Sequence, residues 1–117
     1  MNADLNYRVA TEVMGYSINP IPFSMLRTLA DGYVETLFEM PDFSGDIQFA
    51  KLVLDELLHE KVYRIEITFD DGMWEVYLYS EDKGHAVMPI LSDAICHAAL
   101  DIVAKLKNAT ETSEKGK

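Results

Sequence analysis

Tyr63-Arg64-Ile65-Glu66-Ile67-Thr68-Phe69-Asp70-Asp71-Gly72-Met73-Trp74-Glu75-Val76-Tyr77-Leu78-Tyr79 is the stretch that decides the fold. Its apolar residues alternate with polar ones, the two-residue period of a pleated strand. Tyr63, Ile65, Ile67 and Phe69 fall on one face, and Arg64, Glu66 and Thr68 on the other. Asp70-Asp71-Gly72 interrupts the alternation, and its glycine can take the positive φ of a tight hairpin turn. Beyond the turn, Trp74, Val76 and Leu78 share a face against Glu75, Tyr77 and Tyr79. The stretch therefore predicts an antiparallel hairpin whose apolar face must be covered by something else.

Downstream, Lys83-Gly84 reads as a second turn, His85 to Met88 as a short third strand, and Pro89 as its stop. A helix follows, with Ser92 as the predicted N-cap and Asp93 in the first turn, where the helix dipole favours an anion. Ile95, Ala98, Ala99, Ile102, Val103 and Leu106 recur on it at helical spacing. Residues 108–117 hold one apolar side chain, Ala109, and a disordered tail is expected there.

Upstream, Ser44 is the predicted N-cap of another helix, which carries Ile47, Ala50, Val53, Leu54, Leu57 and Leu58 on one stripe and ends near His59. Asp4 to Met14 reads as a first helix, capped by Asn2 or Asp4 and closed by Gly15. Between them Pro20 and Pro22 forbid regular structure around Ile21, and Asp31-Gly32 signals a turn. Tyr33 to Met40 reads as a strand with Val34, Phe38 and Met40 on its apolar face and two acids on the other. The expected fold is α+β: one domain over residues 1–107, a small, mainly antiparallel sheet covered by helices as an α-β-α sandwich.

At 117 residues the chain suits one domain, and 49% hydrophobic content is enough for a core without a metal or disulfide staple. Twenty acidic residues against ten basic ones give a net charge of −10. Such a surface repels phosphate backbones and anionic lipid, so no direct nucleic acid and no membrane are expected as partners; a protein with a basic surface is. A lone Cys96 excludes an internal disulfide, the start of the chain lacks a signal peptide's pattern, and no apolar run nears the roughly 20 residues of a membrane span. The expected location is the cytosol.

Three stretches resemble the phage ABA-sandwich domain, a small α-β-α family of bacteriophage and prophage proteins. Ala10-Thr11-Glu12-Val13-Met14-Gly15-Tyr16 is similar to the end of its opening helix. Pro41-Asp42-Phe43-Ser44-Gly45-Asp46-Ile47, with Ala50, is similar to the start of its middle helix, and Ala94-Ile95-Cys96-His97-Ala98-Ala99-Leu100 to its closing helix. Trp74-Glu75-Val76 falls where the family carries a similar strand. Order and spacing agree over most of residues 5 to 106, with departures at Lys51, where the family usually has Trp, and at Ser92, where Pro is common. The resemblance implies a viral or prophage origin and brings no transferable catalytic residues.

Chemistry-bearing residues are few. Cys96 and His97 are neighbours, but adjacent helix positions point about 100° apart and cannot pair, so Cys96 reads as a packed thiol. Asp93, His97 and Asp101 recur at i, i+4 and i+8, either a metal-binding helix face or a solvated one. His59 suits the end of its helix, and His85 opens a strand; neither has a catalytic neighbour in sequence. Tyr77 and Tyr79 read as the second buried face of a sheet covered on both sides, or as exposed binding aromatics. Asp70, Asp71 and Glu75, then Glu81 and Asp82, concentrate acid near one end of the hairpin region, as turn chemistry or as a mimic of nucleic-acid phosphates. No Gly-rich phosphate loop, serine elbow, CxxC or HExxH occurs.

The expectation is a non-catalytic phage or prophage accessory protein. It binds a host or viral macromolecule through Asp70, Asp71, Glu75, Glu81 and Asp82, and its most concrete form is an inhibitor of a host defence or nucleic-acid-handling complex. The alternative is a small-molecule binder or sponge, with a pocket between sheet and helix or at a homodimer interface. A third reading is an enzyme using the Asp93-His97-Asp101 face with a bound metal. No catalytic residue, metal or cofactor is expected.

Overall fold

The computed structural model describes residues 2–115, with side chains through Asn108. In chain order it contains α1 (Ala3–Arg8) running into a π-helical turn (Val9–Val13), then β1 (Ser17–Pro20), β2 (Phe23–Thr28), β3 (Val34–Leu37), α2 (Ile47–Glu60), β4 (Arg64–Asp70), β5 (Met73–Tyr79), β6 (Lys83–Met88) and α3 (Leu91–Lys115). The strands form two antiparallel sheets, ordered β1-β2-β3 and β4-β5-β6. With the helices they make an α+β sandwich.

The hairpin forms as its sequence dictates. Asp71 (φ 52°) and Gly72 (φ 76°) link Asp70 to Met73 in a two-residue loop. Two successive positive φ values are the turn whose twist matches that of paired strands, and Asp is one of the few non-glycine residues that tolerates it. Val76 and Leu78 face inward from β5 and are fully buried, beneath α3, which packs on β5 and β6. Gly84 is not the turn residue the sequence suggested; it lies inside β6 opposite Leu78. A Cβ there would sit 2.7 Å from the Ala98 carbonyl oxygen and 2.7 Å from Ile102 Cβ. Glycine is needed because the α3 backbone rests directly on the strand.

The π turn and α2 cover other flanks of α3, so Ala94, Ile95, Cys96, Ala98, Ala99, Leu100 and Ile102 are all buried around its circumference. Asn2 is the cap of α1, accepting from Leu5 N at 3.1 Å. Met14 N reaches Val9 O at 3.0 Å, and the widened turn sends Val9, Ala10, Val13 and Met14 all inward. Gly15 (φ 79°) then ends the helix as expected.

Two predicted caps are corrected. The N-cap of α2 is Asp46, whose side chain accepts from Gln48 N at 2.9 Å. The helix expected to follow Ser92 already begins at Leu91, and the Ser92 hydroxyl donates to the Ser44 carbonyl at 2.8 Å. Both serines are buried because they tie the starts of α2 and α3 together. The faces of β3 are also reversed: Val34 and Phe38 are exposed, while Glu35 and Leu37 lie on the inner side. Of the expected tail over residues 108–117, the backbone of 108–115 continues α3, and 116 and 117 lie outside the described residues.

Candidate functional site

The inner side of β2 and β3 faces the end of the π turn and α2 across a cleft of about 950 Å³. Polar groups converge at its base. Arg27, on β2, donates from Nη1 to the Met14 carbonyl at 3.1 Å, an acceptor freed where the helix ends. The same guanidinium lies 3.2 Å from Glu35 Oε1, directly across the ladder, and 3.3 Å from Glu56 Oε2 on α2. It also stacks 4.8 Å above the Tyr16 ring, and the Tyr16 hydroxyl donates to Glu35. Burial first, and that hydrogen bond second, push the Tyr16 phenol well above its ordinary value, so it stays a donor at neutral pH. With its side chain 16% exposed, Arg27 is largely desolvated, and two carboxylates with a carbonyl compensate it.

The remaining walls are apolar. Phe43 and Phe49 meet edge-to-face at 6.4 Å, with Leu37 and Met40 beside them. Phe38 and Leu52 stand at the mouth, 73% and 49% exposed. The loop that carries Phe43 is held by a polar knot. Asp42 Oδ1 accepts from Asn6 Nδ2 at 3.0 Å and Gly45 N at 3.1 Å, and Asn6 Oδ1 accepts from Ser44 N at 2.9 Å. Five carboxylates line the cleft (Glu35, Glu39, Asp42, Asp55 and Glu56) against the single guanidinium of Arg27. Arg27 occupies two of them and the knot one. Glu39 and Asp55 have no partner among the described residues. The cleft is thus greasy inside and negative at the lip, with His59 on the same rim.

The five acidic residues singled out from sequence do not gather. Asp70 and Asp71 stand at the β4–β5 turn, and Glu81 and Asp82 at the β5–β6 turn. The seven residues of β5 separate them, a span of about 23 Å. Glu75 lies between, its Oε2 2.9 Å from His85 Nε2. Tyr77 and Tyr79 share that outer face with His85, Lys83 and Arg64. Tyr77 stacks on His85 at 4.4 Å and on Tyr79 at 6.1 Å, with Lys83 and Arg64 over the rings. Their half-burial therefore comes from one another, and the second buried face is corrected to an outer one.

His97 Nε2 lies 3.4 Å from Asp93 Oδ1. Asp101 instead accepts from His85 N at 3.0 Å and from Lys105 Nζ at 3.1 Å. No group of three or more His, Cys, Asp or Glu suited to a metal occurs among the described residues. Cys96 is wholly buried, and burial pushes its thiol up to about 12, the wrong direction for a nucleophile.

Sequence reading missed Tyr16, Arg27, Glu35 and Asn6. A signal was present for two: Arg27 and Glu35 are equidistant from Asp31, so a hairpin about Asp31-Gly32 sets them opposite. Among the described residues no helix is long and apolar enough to cross a membrane.

No curated protein matches the chain in sequence. A solved structure, that of a phage protein from Bacillus cereus ATCC 14579 at 2.0 Å, superposes with a TM-score of 0.65. It is 23% identical, over 86% of this chain and 90% of that one, a likeness of fold. The model of the phage ABA sandwich domain matches residues 8–100, which include the π turn, both sheets, α2 and the buried start of α3. The chain belongs to the phage ABA sandwich domain family.

Proposed function

We propose that this phage protein is a non-catalytic binding protein whose cleft takes a protein segment carrying Lys or Arg beside a large apolar side chain. One observation carries the reading: an apolar-walled cleft with two unpartnered carboxylates, Glu39 and Asp55, at its lip. The apolar walls supply the area that gives affinity, and the carboxylates select a cation and reject an acidic segment. The net charge of −10 steers the whole molecule toward basic partners. The partner this implies is a host or viral protein with a basic surface, and occupying a surface that otherwise meets nucleic acid would inhibit a defence or nucleic-acid-handling complex. The non-catalytic reading is supported by Cys96 being inaccessible and by Arg27, Glu35 and Tyr16 being held by one another.

Selection from a random peptide library on the immobilised protein tests this. The expected enrichment is in peptides pairing Lys or Arg with aromatic or aliphatic residues. Their affinity should fall about tenfold or more, 1.4 kcal/mol, on Glu39→Lys with Asp55→Lys, and hold on Asp70→Lys with Asp71→Lys. Enrichment without a basic excess, or sensitivity to the hairpin-turn pair alone, overturns it. The small-molecule reading has one observation in favour: about 950 Å³ lies within the range of ligand pockets, roughly 300–1,000 Å³. A thermal-shift screen against nucleotides and signalling metabolites separates the two, since a ligand of that kind raises the melting temperature and a peptide library yields nothing.

A further inference from the structure

The two edges of the larger sheet are treated differently. The β6 edge is closed by α3: Asp101 accepts from His85 N at 3.0 Å, and Lys105 Nζ donates to the Lys83 carbonyl at 2.8 Å. Those side chains occupy backbone groups that would otherwise be open to another strand. The β4 edge has no such cover. Among the described residues β4 pairs with β5 alone. Its inward row also outruns α3: Ile67 is 39% and Phe69 57% exposed, against 0% for Val76 and Leu78 on the next strand.

We propose that β4 joins two copies of this chain, pairing antiparallel with β4 of the second copy about a twofold axis at Ile67 to give one six-stranded sheet. The strand Arg64-Ile65-Glu66-Ile67-Thr68-Phe69-Asp70 alternates polar and apolar residues identically from either end, with opposite charges at its two termini. Self-pairing centred on Ile67 sets Arg64 opposite Asp70 of the second copy, Ile65 opposite Phe69, Glu66 opposite Thr68, and Ile67 opposite itself. Cross-strand opposite charges and apolar pairs each stabilise, and like charges directly opposite destabilise. The neighbouring registers fail that test. Centring on Glu66 sets Glu66 against Glu66, and centring on Thr68 sets Glu66 against Asp70. A one-residue slip turns the apolar row of one copy onto the charged face of the other. A second copy is thus the occupant for which this edge is complementary, and its apolar row extends the exposed Ile67 and Phe69 across the junction. The cleft is elsewhere in the molecule, so this pairing stands or falls apart from the binding reading.

Sedimentation equilibrium of the full chain up to roughly 100 μM, where a weak specific interface is well populated, tests the pairing. The expected mass is twice 13.2 kDa. Ile67→Lys brings two cations together on the axis and should give a monomer with an unchanged far-ultraviolet circular dichroism spectrum. Arg64→Asp alone and Asp70→Arg alone should each weaken association about tenfold or more by opposing like charges, and the double exchange should restore it. The restoration separates a broken register from a misfolded variant. A chain that stays monomeric throughout, as one whose edge serves a foreign strand would, overturns the proposal. So does a dimer indifferent to Ile67→Lys, or a double exchange no better than the singles.

Discussion

Replacing Gly84 by Ala adds one methyl group at the point where α3 rests on β6. The new carbon would lie 2.7 Å from the Ala98 carbonyl oxygen and from Ile102 Cβ, and 3.0 Å from Ile102 N. Ordinary contact between such atoms is about 3.5–4.0 Å, so the helix must retreat by about 1 Å. Two of the three neighbours are backbone atoms and cannot rotate away. Retreat loosens contacts along the whole row of Ala94, Ala98 and Ile102, all fully buried. Overpacking of this kind costs about 1–3 kcal/mol, against which the lower unfolded-state entropy of Ala returns about 0.5 kcal/mol. A net loss of about 1.5 kcal/mol follows, equivalent to about 6 °C in Tm for a domain of this size. Trp74 is the single tryptophan and lies on the neighbouring strand, so its fluorescence reports urea unfolding directly. The expected result is a midpoint lowered by about 1 M with an unchanged slope. A Gly84→Ala protein as stable as the parent would refute the close approach of α3 to β6.

Asn6→Ala removes the amide that holds Asp42 and leaves the buried Ser44 N–H without its acceptor; a loss of about 2 kcal/mol in urea unfolding is expected. Cys96 governs a pH effect. Its folded thiol is raised to about 12 from 9.0, so the fold favours the protonated form; the resulting stability is fully present below pH 9 and is lost as pH rises toward 12. In that window the parent should lose up to about 1.4 kcal/mol per pH unit more than Cys96→Ala, measured by urea unfolding between pH 8 and 10.5. Native protein should also react with a disulfide thiol reagent only at the rate of opening, and rapid reaction at neutral pH would contradict the burial of Cys96.

The hairpin of β4 and β5 was legible because strict alternation over seven residues fixes both register and face. α2 and α3 were legible because their apolar spacing is helical. Their caps were not, since Ser44 and Ser92 have the chemistry of caps but use it elsewhere, the Ser44 hydroxyl on Asp42 and the Ser92 hydroxyl on the Ser44 carbonyl. β1 and β2 escaped because strands of four and six residues, half-buried, barely alternate. On β3 the inner face holds Glu35, which hydropathy assigns to solvent and Arg27 with Tyr16 draw inside. The cleft was least legible of all, because its walls come from segments far apart in sequence and only folding brings Met14, Arg27, Phe38 and Asp55 to one place.

The cleft reading is tested most directly by amide chemical-shift mapping. The ¹⁵N-labelled protein is titrated with a peptide that pairs arginine with an aromatic residue. Shifts confined to residues 37–43 and 49–59, with Asp71 and Asp82 unmoved, are the expected result. Shifts centred on the β4–β5 and β5–β6 turns, or equal binding of an acidic analogue, would contradict the account.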